Sequence, residues 1–61
     1  MKLEELAEIN CEPAIVYVYN TGGKALLKTT NTGIKNHDFV RTKEVVGLRS
    51  NGLALFVTIK E

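Results

Sequence analysis

At 61 residues, with 44% hydrophobic and 25% charged side chains, the chain has ordinary globular composition and room for one core, which excludes a wholly disordered polypeptide and a second domain. One cysteine, Cys11, and one histidine, His37, exclude an intrachain disulfide and fall short of the soft ligands of a structural zinc site, so self-association is the support left open to so small a domain. The net charge of +1 hides a division: Lys2 stands against Glu4, Glu5, Glu8 and Glu12 in residues 1–20, whereas seven cations outnumber three carboxylates in residues 21–61, a pattern that points to an anionic partner.

Residues 2–10 predict a short helix, because Leu3, Leu6, Ala7 and Asn10 follow i, i+3, i+4, i+7 spacing and the glutamates gather near the N-terminal end of the helix dipole. Two and a half turns are marginal in water, so the helix is expected to form by laying Leu3 and Leu6, with Ile9 at the margin, on a sheet. Pro13 ends the helical stretch and pushes Glu12 toward extended geometry.

A first hairpin is expected over about 14–30. The run Ala14 to Tyr19 is rich in β-branched and aromatic residues, Asn20-Thr21-Gly22-Gly23 is a turn signal, and Lys24 to Thr30 returns. A two-residue Gly22-Gly23 turn pairs Val18 with Leu27, Val16 with Thr29, Tyr19 with Leu26 and Tyr17 with Lys28. The first strand is apolar on both faces, which suits a central strand, a small barrel, or a face covered by another subunit. Residues 31–38 have little periodicity and read as a loop.

A second hairpin is expected over about 39–60, around Asn51-Gly52, a pair that accepts positive φ at both positions. Counted out from that turn, Leu53, Leu55, Val57 and Ile59 share a core face with Leu48 and Val46, while Gly47 faces Phe56 and Lys43 faces Lys60. The resulting fold class is α+β: a short N-terminal helix packed on an antiparallel meander of about four strands, as an open sheet or a small barrel.

Two sets of side chains are candidates for function. Lys28, Lys43, Arg49 and Lys60 with Phe56 supply cations for phosphates and a ring for a base, the ingredients of a single-strand binding surface. The plain alternative is that Phe56 shields the bare backbone of Gly47 and the lysines are solvated. Lys43 opposite Lys60 sets like charges face to face, which an anionic ligand, a solvated edge or a frayed strand end would relieve. Ile15, Tyr17 and Tyr19 form the second set, an apolar and aromatic surface suited to another subunit or a protein partner, unless a helix or barrel wall covers it.

Other groups carry less. Cys11, His37 and Asp38 lack the surroundings of a thiol catalyst, and Thr21-Gly22-Gly23-Lys24 is followed by a strand where a phosphate loop needs a helix. No catalytic residue, cofactor, metal, membrane span or small-molecule substrate is expected, and the lack of a signal-like apolar run makes the cytoplasm the default location. The functional expectation is a non-enzymatic binding or assembly module acting through protein contacts and self-associating, with nucleic-acid binding by the basic sheet face as the alternative.

Overall fold

The computed structural model describes residues 1–10 and 15–61 of the chain. The expectations for Cys11, Glu12, Pro13 and Ala14 lie outside the described residues. The elements run α1 (Leu3–Ile9), β1 (Ile15–Asn20), β2 (Ala25–Thr30), α2 (Asn31–Lys35), β3 (Glu44–Ser50) and β4 (Leu55–Lys60). The fold is α+β, with both helices against one face of a four-stranded, mostly antiparallel sheet.

The two hairpins form, but they do not continue into a meander. The strand order is β2-β1-β4-β3, and the hairpins meet through a parallel pairing of β1 with β4, from Val16 opposite Leu55 to Asn20 opposite Ile59. The physical reason lies in burial. Val16 and Val18 on β1 and Leu55, Val57 and Ile59 on β4 are the strands' most apolar inward positions, and pairing them centrally places all five in the core. β2 and β3 remain as edges, so the sheet is open rather than a barrel.

Leu3, Leu6 and Ala7 of α1, Ile34 of α2 and Val40 close this core from the helical side. Ile9, by contrast, is 68% exposed. The first amides of so short a helix need partners. Leu3 N donates to Lys43 O at 2.9 Å, Glu4 N to Arg41 O at 2.8 Å, and Lys2 N to the Glu5 carboxylate at 2.8 Å. At the other end the Asn31 amide donates to Asn10 O at 2.6 Å and ties α1 to α2.

The segment expected to be a loop contains α2. Thr30 caps it by accepting from Gly33 N at 3.2 Å, and Ile34 anchors it in the core. Gly33 allows it to sit close on β2, because a Cβ there would run into the Thr29 hydroxyl. A single buried side chain in five residues leaves no helical period to read. The second hairpin also begins later than expected, at Glu44, because residues 39–43 turn inward to bury Val40 and to cap α1.

Register departs from the simple turns at both hairpin ends. Val16, Tyr17 and Val18 pair with Thr29, Lys28 and Leu27 as expected, but a bulge shifts Tyr19 to Ala25. Asn20 folds this turn with its side-chain oxygen, which accepts from Gly22 N at 2.9 Å and Lys24 N at 3.0 Å, and Gly23 takes φ 85°.

In the second hairpin the turn takes four residues rather than two. The Asn51 side chain accepts from Leu53 N and Ala54 N, both at 2.9 Å, and Gly52 takes φ 87°. Ser50 therefore pairs with Leu55, Arg49 with Phe56, Leu48 with Val57 and Gly47 with Thr58. A slip of two residues keeps residues 47–50 on their expected faces while changing every partner. The core assignment fails at the edge and the tip for a different reason: Val46, Leu48 and Leu53 are 53%, 57% and 81% exposed because the helical layer covers the central strands.

A second bulge, between Val45 and Gly47, then sets Val45 opposite Ile59 and Glu44 opposite Lys60. Lys43 thus leaves the sheet, and the expected like-charge pair does not form.

Candidate functional site

Alternation along the strands sends Ile15, Tyr17 and Tyr19 of β1 and Phe56, Thr58 and Lys60 of β4 to the face opposite the helices. The central parallel pairing sets Tyr17 beside Phe56 and Tyr19 beside Thr58. The Tyr17 and Phe56 rings stack with centroids 5.3 Å apart and planes 12° from parallel, and Tyr19 lies 6.3 Å from Phe56 at 39°. Each ring is half-buried.

Cations extend this stack at both ends. Tyr17 pairs with Lys28 of β2, whose Nζ lies 5.7 Å from the ring centroid, and Phe56 pairs with Arg49 of β3. One row across all four strands therefore reads Lys28, Tyr17, Phe56, Arg49. Among the described residues, neither Lys28, Arg49 nor Lys60 has a carboxylate within ion-pair distance. The acidic helix is balanced elsewhere: Glu8 meets Lys35 at 3.5 Å, and Arg41 meets Glu4 at 3.5 Å and Asp38 at 3.2 Å. Among the described residues the helical side thus carries these ion pairs, while Lys28, Arg49 and Lys60 on the sheet side have none; Glu44, opposite Lys60, meets the Met1 amine at 3.1 Å.

The two candidate sets turn out to be one surface. Lys28, Arg49, Phe56 and Lys60 share the outer face with Tyr17, Tyr19 and Ile15, and only Lys43 is elsewhere, stacked over Phe39 with Nζ 4.7 Å from the ring centroid. The shielding of Gly47 by Phe56 does not occur, because Gly47 lies opposite Thr58. A hollow of about 450 Å³ is lined by Tyr19, Leu48, Arg49, Phe56 and Thr58. Thr58 keeps the outward facing that strand alternation predicts, and Leu48, expected in the core and paired with Val57, is the lining residue that sequence reasoning did not place here.

His37 and Asp38 have local duties. His37 Nδ1 accepts from Val40 N at 3.4 Å and Asp38 binds Arg41, so both shape the segment leading to β3. Cys11 lies outside the described residues. Among the described residues no group of three His, Cys, Asp or Glu side chains is placed to hold a metal, and no helix is long and apolar enough to cross a membrane.

No family model, curated protein or solved structure matches the chain.

Proposed function

We propose that the protein is a non-enzymatic binding module that holds single-stranded nucleic acid on the outer face of its sheet. The row Lys28, Tyr17, Phe56, Arg49 carries this reading: a stacked aromatic pair at the centre of an open face, with a cation at each end and a third, Lys60, along β4. Bases of any identity have a π-face to set on such rings, and phosphates meet the flanking cations, so the surface suits an unpaired strand more than a duplex. A cytoplasmic setting, where unpaired RNA and DNA strands occur, goes with this reading.

The test uses a fluorescein-labelled 12-mer of deoxythymidine or uridine, followed by anisotropy. The protein has two tyrosines, both on this face, and no tryptophan, so its intrinsic emission reports on the surface directly. Binding accompanied by quenching of tyrosine emission is the expected result. Lack of binding at low salt, or binding that leaves the emission unchanged, defeats the proposal.

A second reading, self-association, draws on a separate observation. Leu48 and Val46 are exposed on β3, an edge strand that among the described residues is covered at its start, where Val45 N donates to Met1 O at 2.8 Å. An edge carrying exposed apolar side chains is a template for strand pairing with a second copy. A solution mass that rises with concentration in the absence of nucleic acid supports this reading, and a constant monomer mass removes it.

A further inference from the structure

The free edge of β3 differs along its length. At its start Val45 N donates to Met1 O and Glu44 bridges to Lys2, so that end is already paired. From Val46 to Ser50, among the described residues, no further strand lies against the edge. Which residues offer their backbone there follows from the turn. Asn51 N donates to Ala54 O at 3.3 Å, and antiparallel pairs alternate between bonded and non-bonded. Arg49 with Phe56 and Gly47 with Thr58 are therefore bonded pairs, and Leu48 with Val57 is not. The Leu48 N–H and C=O point away from β4, where an antiparallel neighbour can take both.

We propose that this neighbour is β3 of a second copy, the two strands pairing antiparallel about a two-fold axis at Leu48. The inference rests on the self-association reading and deepens it by fixing the contact and its register. A second copy fits because the free stretch is complementary to itself, as a two-fold contact requires. Leu48 meets Leu48 of the second copy, Arg49 meets Gly47, and Ser50 meets Val46. The one charge in the stretch, Arg49, thus faces a residue without a side chain. Paired residues share a face of the sheet, so the axis must pass through a residue. An axis at Arg49 would set two guanidiniums directly opposite, which destabilises a strand pair. An axis at Gly47 would run the second copy into the stretch held by Met1 and Lys2. Pairing about Leu48 also carries the outer faces of both copies onto one side of a continuous sheet.

Disulfide cross-linking of the full chain reads the register, with Cys11→Ser as background and circular dichroism to establish that each variant is folded. Leu48→Cys puts two thiols on a bonded antiparallel pair, with Cα atoms about 5.5 Å apart, within reach of a disulfide. It should give a covalent dimer as the main product of mild oxidation. A mixture of Val46→Cys and Ser50→Cys chains should give the mixed dimer. Each of those alone should stay monomeric, because like positions then lie about 13 Å apart along the strands. Thr21→Cys, on the turn of the other hairpin, measures random collision and should not cross-link. Light scattering of the unmodified chain separates the two levels of the claim. An oligomer without these cross-links, or one that joins Leu48→Cys to Ser50→Cys in place of Val46→Cys to Ser50→Cys, overturns the pairing about Leu48 and leaves self-association standing. A constant monomer mass with no cross-link above that of Thr21→Cys removes both.

Discussion

Tyr17 and Phe56 lie ring against ring on neighbouring central strands, 5.3 Å between centroids, although they come from different hairpins. The contact joins the surfaces of those hairpins into one platform, and its two roles separate by mutation. Phe56→Leu keeps an apolar side chain of similar bulk and removes the π-face. It should change stability by less than about 1.5 kcal/mol while weakening oligonucleotide binding by about fivefold or more. Urea unfolding and anisotropy on the same samples measure the two effects, and an affinity equal to that of the unmodified protein excludes stacking on Phe56.

Salt dependence counts the cations. If Lys28, Arg49 and Lys60 each neutralise one phosphate of a single strand, log affinity falls against log salt with a slope of about −2, or about 20-fold between 50 and 200 mM. Arg49→Gln should make that slope shallower by about 0.7. Lys43→Gln is the control, since Lys43 sits over Phe39 outside the sheet face. An equal effect of the two substitutions would show that binding follows overall charge rather than this row.

Gly33 and Gly52 are required for different reasons, and their alanine variants should behave differently. Gly52→Ala forces a side chain into positive φ and should cost about 1–2 kcal/mol whatever surrounds it. Gly33→Ala drives a methyl group into the Thr29 hydroxyl and should cost about 1–3 kcal/mol. Only the second cost depends on a neighbour. Thr29→Ala should recover part of it, so a double-mutant cycle in urea should show coupling for Gly33 with Thr29 and additivity for Gly52 with Thr29.

Leu48→Lys tests the edge of the sheet. A charge in the middle of β3 opposes strand-to-strand pairing and removes apolar area from a position that is already more than half exposed, so the monomer should keep its stability. If the protein self-associates through this edge, light scattering across a concentration series should show the variant to be monomeric where the parent is not. An oligomer that persists in the variant places the contact elsewhere.

The helix, both hairpins and the facing of most strand residues were legible in the sequence, because each rests on local periodicity and turn chemistry. The order of the strands was not. Nothing in the run Ile15 to Tyr19 or Leu55 to Ile59 announces a parallel partner; each shows only that both of its faces have apolar or aromatic side chains. Two candidate surfaces therefore emerged where the fold builds one, since Tyr17 and Phe56 become neighbours only through the β1–β4 pairing. Lys43 was misplaced by the bulge beyond Gly47, and the opposition of Glu44 to Lys60 follows from the same extra residue. α2 escaped notice because Ile34 is its single buried residue.

The parallel pairing of β1 with β4 also bears on how the chain reaches its native state. Each hairpin closes over a short stretch, on a timescale of about 1–10 μs. Neither hairpin alone brings Val16 and Val18 against Leu55, Val57 and Ile59; that contact requires residues 16–20 to find 55–59 across the intervening chain. Docking, and not hairpin closure, should therefore limit the folding rate. In stopped-flow experiments, truncation of Val18 or Val57 should slow refolding, while changes at the hairpin turns should act mainly on unfolding.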